Sequence, residues 1–339
     1  MQLRAFLLVG AIVMVSACRG NVTMPTEFPT PEPAPWSTPL PRIELKADAE
    51  LDDQIAKIAE DAKGKVGVAA VVIETGDSAL FNAGERFPMQ SVYKLPISMA
   101  VMEQVKRGEL DLDEKIGVTK EDMVRQGQRS PLRDANPNGG EFTIRELIRL
   151  ALVESDGTAS DVLMRVAGGA NEIRSYLGLI GVQDMKVINT EKEIGRDWQT
   201  QYENWATPAA AVELLRSLCA AATDPQSGSS CFAVVPVDEP TQHYEKMRGL
   251  MYTMASSIPG AKRLKGLLPA GTVVAHKTGT GGTQNGITGA TNDIGLISLP
   301  NGNHIAVAVF VSDSPADEKT RELVIAKIAK ACWDRWSKN

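Results

Sequence analysis

The chain has 339 residues, 43% of them hydrophobic and 23% charged, which is enough to bury one large core or two packed sub-cores and excludes wholesale disorder. Lys plus Arg number 36 against 42 Asp plus Glu, and a formal charge of -6 leaves no electrostatic footprint for nucleic acid. The histidines, His243, His276 and His304, stand far apart with no His-x-His or His-Glu-x-x-His spacing, so no zinc site and no other cofactor is expected.

Taken in chain order, Arg4, the apolar run Ala5 to Val15 and the small pair Ser16-Ala17 before Cys18 read as an export signal over residues 1–17. The run is too short for a permanent membrane span. Val15-Ser16-Ala17-Cys18 resembles the bacterial lipobox, which implies lipidation of Cys18; ordinary cleavage after Ala17 is the alternative. Residues 25–41 carry seven prolines in seventeen positions, an extended tether of the kind an anchored domain needs. The expected division is a signal over 1–17, anchor and tether over 18–42, and a catalytic domain over 43–339. Such a protein is exported and held on the periplasmic side of the envelope by lipid alone, as a monomer, with Arg19 after the cysteine favouring the outer membrane in a diderm host.

From about Ile43 the folded part reads as strand-rich, then helix-rich, then strand-rich again. Val66 to Ile73 is nearly all apolar and β-branched, and Thr75-Gly76-Asp77-Ser78 turns it toward Leu80-Phe81, a hairpin. Helices are predicted over Leu95–Arg107, Ile144–Val153, Thr158–Val166, Asn171–Leu179, Pro208–Cys219 and Tyr244–Ala255. Strands are predicted at Val273–Ala275, Ile294–Leu299 and Ile305–Val311, with Asn301-Gly302 turning the last hairpin and a helix closing the chain over Ala316–Trp336. The order predicts an α+β fold: an antiparallel sheet built from both chain ends, about 43–90 and 257–339, with the terminal helices on one face. An all-helical part, about 91–256, completes it, and chemistry belongs in the cleft between the two. Cys219 and Cys231 bracket the turn-rich stretch Asp224 to Gly228 and can close a local disulfide; Cys332, in an apolar helical repeat, is the competing partner.

Ser91-Val92-Tyr93-Lys94 follows an extended segment and opens a helix, so Ser91 and Lys94 share one helix face. A serine oxygen is a poor nucleophile until a neighbour removes its proton, and a lysine within hydrogen-bond reach can do so. The helix start adds free N-H groups aimed at developing negative charge. Ser-x-x-Lys alone is a common pattern. It gains weight from Ser155-Asp156-Gly157, between two helices, and from Lys277-Thr278-Gly279-Thr280, on a strand before a Gly-rich turn.

In that order the three motifs are those of class A β-lactamases and penicillin-binding proteins. The chain resembles a class A serine β-lactamase from about Ala49 to Trp333, and Gln201-Tyr202-Glu203-Asn204-Trp205 resembles the PER-like extended-spectrum branch. The resemblance implies hydrolysis of β-lactam antibiotics through a Ser91 acyl-enzyme, with Lys94 handling its proton and Ser155 protonating the departing nitrogen. It assigns Lys277, Thr278 and Thr280 to the substrate carboxylate, and the backbone N-H groups of Ser91 and Thr280 to an oxyanion hole. Water attack on the ester needs a carboxylate base in the loop Asn189 to Trp205, where Glu191 is preferred over Glu193.

Two positions depart from the family pattern. Gly157 replaces an Asn that grips the substrate's acylamino group, and Gly195 replaces a polar side chain that helps fix the hydrolytic water. Arg263 coincides with an arginine that in some members reaches the substrate carboxylate; the other reading is an exposed helix-end arginine. Residues 223–241 are longer than the family usually has there, and no function attaches to them. A D,D-peptidase, and an anchored penicillin-binding sensor that acylates without turnover, are the competing readings.

Overall fold

The structure is a computed structural model and describes residues 39–223, 231–232 and 242–338. The export signal, Cys18, almost all of the tether and most of the 223–241 stretch lie outside the described residues. Strand β1 (Lys46–Ala47) and helix α1 (Ala49–Ala59) come first, then β2 (Lys65–Val72), β3 (Asp77–Phe81) and β4 (Phe87–Pro88). A 3-10 turn, Gln90–Tyr93, runs into α2 (Lys94–Lys106), followed by β5 (Lys115–Val118), α3 (Pro131–Ala135), β6 (Gly140–Thr143), α4 (Ile144–Val153), α5 (Gly157–Val166) and α6 (Ala170–Leu179). Next come β7 (Met185–Lys186), α7 (Glu191–Ile194), β8 (Trp205–Ala206), α8 (Pro208–Ala222) and α9 (Gln242–Ala255). The chain closes with β9 (Val274–Thr280), β10 (Thr283–Gln284), β11 (Ile287–Ser298), β12 (His304–Ser314) and α10 (Glu318–Trp336).

The main sheet runs in the order β1-β3-β2-β12-β11-β10, with β9 also paired to β11. Every pairing in it is antiparallel except β1 with β3. Both chain ends therefore contribute to one sheet, and the fold is α+β, as the sequence predicts. Period-two alternation divides β12 between two cores. Ala306, Ala308 and Phe310 face the core shared with the helical part. Ile305, Val307, Val309 and Val311 face the core covered by α1 and α10. Because both faces are covered, these strands read as unbroken apolar runs, and each buried aliphatic side chain contributes about 1.5–3 kcal/mol relative to exposure. Helix α8 lies on β12 and β2, tying the helical part to the sheet.

Three features depart from the sequence reading. Residues after Ile43 are not all strand: Asp48 caps α1 by accepting from Leu51 N (3.1 Å), and Leu51, Ile55 and Ala59 form a buried stripe at helical spacing. β11 starts seven residues earlier than the predicted Ile294, because its polar residues are buried with partners: Asn292 donates to Pro88 O (2.7 Å), and Asp293 pairs with His276 (2.9 Å). Helices α3 and α7 are too short to show a period, so the sequence pattern passes over them.

Candidate active site

Ser91 sits at the start of the combined 3-10 and α2 segment, and Lys94 one turn later; Lys94 Nζ donates to Ser91 Oγ at 3.0 Å and to Ser155 O at 2.9 Å. On the other side, Lys277 Nζ on β9 donates to Ser155 Oγ and to Thr278 O, each at 3.0 Å. Both lysines are fully buried, 1% and 0% exposed, so their charges act through a medium that screens poorly. Burial, with the Lys94 charge added to it, holds the Lys277 ammonium well below the ordinary lysine value.

The backbone is shaped for this meeting. Gln90 (φ 49°) and Ser155 (φ 58°) are in the left-handed region that non-glycine residues avoid, a strain the surrounding contacts must hold. Gln90 Nε2 donates to Gln201 Oε1 at 2.8 Å. Asp156, fully buried, accepts from Leu132 N (2.6 Å), Ala159 N (2.8 Å) and Ser130 Oγ (3.0 Å), which pins the turn that carries Ser155. Gly279 lets β9 pass against the Ser91 segment: a Cβ there would lie 2.2 Å from Met89 O.

The loop between β7 and β8 supplies the carboxylate. Asn204 clips its base, accepting from Ile188 N and Asn189 N (2.8 and 2.9 Å) and donating to Asn189 O (2.8 Å). Within it, Thr190 and Glu193 form a capping box on α7, so Glu193 is an exposed cap. Glu191 points the other way. Its Oε2 takes Lys94 Nζ at 3.1 Å and the Tyr93 hydroxyl at 2.6 Å. Its backbone is held by Asp161 on α5, which accepts from Glu191 N (2.6 Å) and Lys192 N (3.0 Å), and by Gln128 Nε2, which donates to Glu191 O. Burial alone would raise the Glu191 carboxyl. The Lys94 charge, the bonds from Tyr93 and Lys94, and the Lys277 charge outweigh it and hold the group below the usual carboxylate range. Burial pushes Asp161 up to about 7 in spite of its two backbone bonds.

Ser91, Ser155, Glu191 and Thr280 line one cavity of about 690 Å³, with Arg129 and Trp198 at its sides. Two serines, a lysine behind each and a carboxylate facing one of those lysines form an acyl-transfer constellation. A family model described as the β-lactamase enzyme family matches residues 50–235 and 241–336. The chain is 35% identical over 296 residues to β-lactamase VEB-1 of Pseudomonas aeruginosa, covering 85% of this chain and 92% of that protein. It is 37% identical over 286 residues to the extended-spectrum β-lactamase PER-1 of the same organism, covering 84% and 86%. The solved structure of the TLA-1 extended-spectrum β-lactamase superposes with a TM-score of 0.77 at 37% identity, covering 86% of this chain and 100% of that one.

The chain belongs to the class A β-lactamase family. It is a hydrolase of β-lactams.

In this β-lactamase the motif residues meet, although they come from three distant stretches of chain. Lys94, Lys277, Thr278 and Gly279 are buried behind the cavity lining, whereas Thr280 stands in it. Arg263 is no exposed helix-end residue: at 4% exposure it donates to Gly279 O (3.1 Å), Asn292 O (3.0 Å), Thr280 Oγ1 (2.8 Å) and Glu322 (3.2 Å). It meets the cavity lining through the Thr280 hydroxyl, and its burial corrects the exposed helix-end reading of this arginine. The spaces left by the two glycine departures are filled. A Cβ at Gly157 would lie 2.6 Å from Glu191 Cγ, and one at Gly195 would lie 2.5 Å from Gln128 Nε2. Cys219 and Cys231 are disulfide-bonded, with Cα atoms 5.1 Å apart, and Cys332 is a free buried thiol. The sequence reading passed over Tyr93, Gln128 and Asp161. Asp161 had a signal, since it is the one carboxylate within α5 and stands four residues after Gly157, on the same face.

Proposed function

We propose that Ser91 attacks the lactam carbonyl and that Glu191 activates the water that clears the resulting ester. The observation that carries this reading is the unbroken relay Ser91 Oγ to Lys94 Nζ (3.0 Å) to Glu191 Oε2 (3.1 Å), whose two ends line one cavity. As the bond from Oγ to the carbonyl carbon forms, Nζ takes the serine proton and passes one on to Oε2. The backbone N-H groups of Ser91 and Thr280 receive the oxyanion. The lactam C-N bond then breaks as Ser155 Oγ, held by Lys277, gives its proton to the nitrogen; Ser155 regains a proton from Oε2 by way of Lys94, which leaves Glu191 ionised to accept from the water. Lys277 also supplies the field that draws in the substrate carboxylate, with Thr280 adding a hydroxyl, Thr278 bracing Lys277 from behind through its carbonyl, and Arg263 fixing Thr280.

Turnover of a chromogenic cephalosporin by the purified domain tests the reading. Sustained hydrolysis is expected; a single stoichiometric burst would make the protein a penicillin sensor, and silence a peptidase. Lys277→Ala should lower kcat/KM by roughly 10²–10³-fold, because the ground-state carboxylate and the transition-state charge lose the same partner. The parent should lose activity on its alkaline side as Lys277 deprotonates, at a pH below the ordinary lysine value because its pKa is lowered.

For the chain's address, the division into signal 1–17, anchor and tether 18–42 and catalytic domain 43–339 rests on the composition of the first forty-two residues. Cys18 lipidated with more than one acyl chain would hold a monomeric enzyme stably on the membrane. Detergent partitioning of the mature protein, and diacylglycerol mass on its N-terminal cysteine, are the expected results. Cys18→Ala should release it to the soluble fraction with activity unchanged, and an unmodified N-terminal cysteine would exclude the anchor.

A further inference from the structure

We infer that Tyr93 is a positioning residue for deacylation: its buried hydroxyl, bonded to the Glu191 oxygen that also faces Lys94, sets the carboxylate's orientation and its readiness to take a proton from water. This rests on the reading of Glu191 as the base.

Tyr93 is the last residue of the turn that carries Ser91 and directly precedes Lys94, with its ring fully buried and its hydroxyl 2.6 Å from Glu191 Oε2. That distance is short for an O-H to oxygen bond and typical of one made to an ionised acceptor. Lys94 Nζ, 3.1 Å away, takes the same oxygen. Oε2 therefore carries two donors, whereas no protein donor reaches Oε1 among the described residues, so Oε1 is the oxygen left to accept from water. The rotamer is defined from the opposite side by Gly157, where a Cβ would come within 2.6 Å of Glu191 Cγ. A phenylalanine would fill the same pocket as Tyr93, so the ring's packing does not explain the hydroxyl. Its bond to the charged form does: it favours carboxylate over acid and fixes the plane of the group.

The charged and titratable groups around Glu191 are Lys94 on α2, Asp161 on α5, Lys277 on β9, and Lys192 and Glu193 on its own short helix. Lys94 and Lys277 lower the Glu191 carboxyl, as Tyr93 does. Asp161 cannot replace the phenol, because each of its oxygens accepts from a backbone N-H of α7 instead. Deleting the phenol oxygen thus removes one of the stabilisers of the ionised form, and the carboxyl must titrate at higher pH.

The test is the pH dependence of ester hydrolysis, followed as loss of the penicillin adduct by intact-protein mass spectrometry. The parent is compared with Tyr93→Phe and with 3-fluorotyrosine incorporated at position 93. Tyr93→Phe should acylate within about threefold of the parent, with KM little changed. Its deacylation should be roughly tenfold slower on the acid side, with the acid limb displaced upward by about one pH unit. The fluorinated phenol is a stronger donor and should displace the limb downward, and this variant keeps the test open if the phenylalanine protein folds poorly. A limb that stays in place in both variants, or equal losses in acylation and deacylation without a shift, overturns the proposal. Should Glu191→Gln fail to trap an adduct, the base assignment falls and this inference with it. An adduct trapped by Glu191→Gln beside an unmoved limb in the Tyr93 variants removes this inference alone.

Discussion

Ser91→Ala should lower turnover of a chromogenic cephalosporin by on the order of 10⁶-fold, to the level left by binding and oxyanion donors alone. The change deletes one partly exposed oxygen at a helix start and no core packing, so the melting temperature should stay within a few degrees of the parent's. The Lys94 ammonium keeps its bonds to Ser155 O (2.9 Å) and Glu191 Oε2 (3.1 Å), so the site remains assembled without its nucleophile. Mass spectrometry after incubation with penicillin should show no adduct. A variant that still hydrolyses at a rate near the parent's would remove Ser91 from the reaction.

Glu191→Gln separates the two halves of the cycle. The amide keeps the shape and the Tyr93 contact but cannot take a proton from water, so hydrolysis of the ester should slow by roughly 10²–10⁴-fold. Acylation should slow less than hydrolysis, since a neutral Lys94 amine, 3.0 Å from Ser91 Oγ, takes the serine proton without passing one to residue 191, and one penicillin adduct should persist for minutes or longer. Glu193→Gln, two residues on, alters only the exposed cap it forms with Thr190, and should clear the adduct as the parent does while losing a few tenths to about 1 kcal/mol of local stability. The reverse pattern would make Glu193 the base. In the parent the acid limb of deacylation should lie below the ordinary carboxylate range: the base works ionised, its pKa is lowered, and activity falls only as pH drops through that lowered value.

Much of this molecule is legible from local signals, since an element is legible where its determinants lie within a few residues of one another. Thr143 with Glu146 announces α4, and Pro208 after Thr207 opens α8. The unbroken apolar run of β12 names a strand covered on both faces, and Ser91 with Lys94 one helical turn apart already implies their contact. The order of the three motifs indicates the family and with it the fold. The disulfide is nearly local too, its cysteines standing twelve positions apart in sequence.

What only the tertiary structure decided lies across long separations. That Glu191 rather than Glu193 turns inward depends on Asp161, thirty residues earlier, catching two amides of α7. The Tyr93 bond to Glu191 spans 98 residues, and the burial of Arg263 beneath Gly279, Thr280 and Asn292 depends on β9 pairing with β11. The two glycines read as lost contacts in the sequence, and as occupied space in the fold, with Glu191 over one and Gln128 over the other. Hydrophobic period and capping act over one or two turns, so a single stretch of chain reveals them. The direction of a buried side chain is set by whichever distant donors and voids the packed sheet and helices bring to it, and no single stretch contains those.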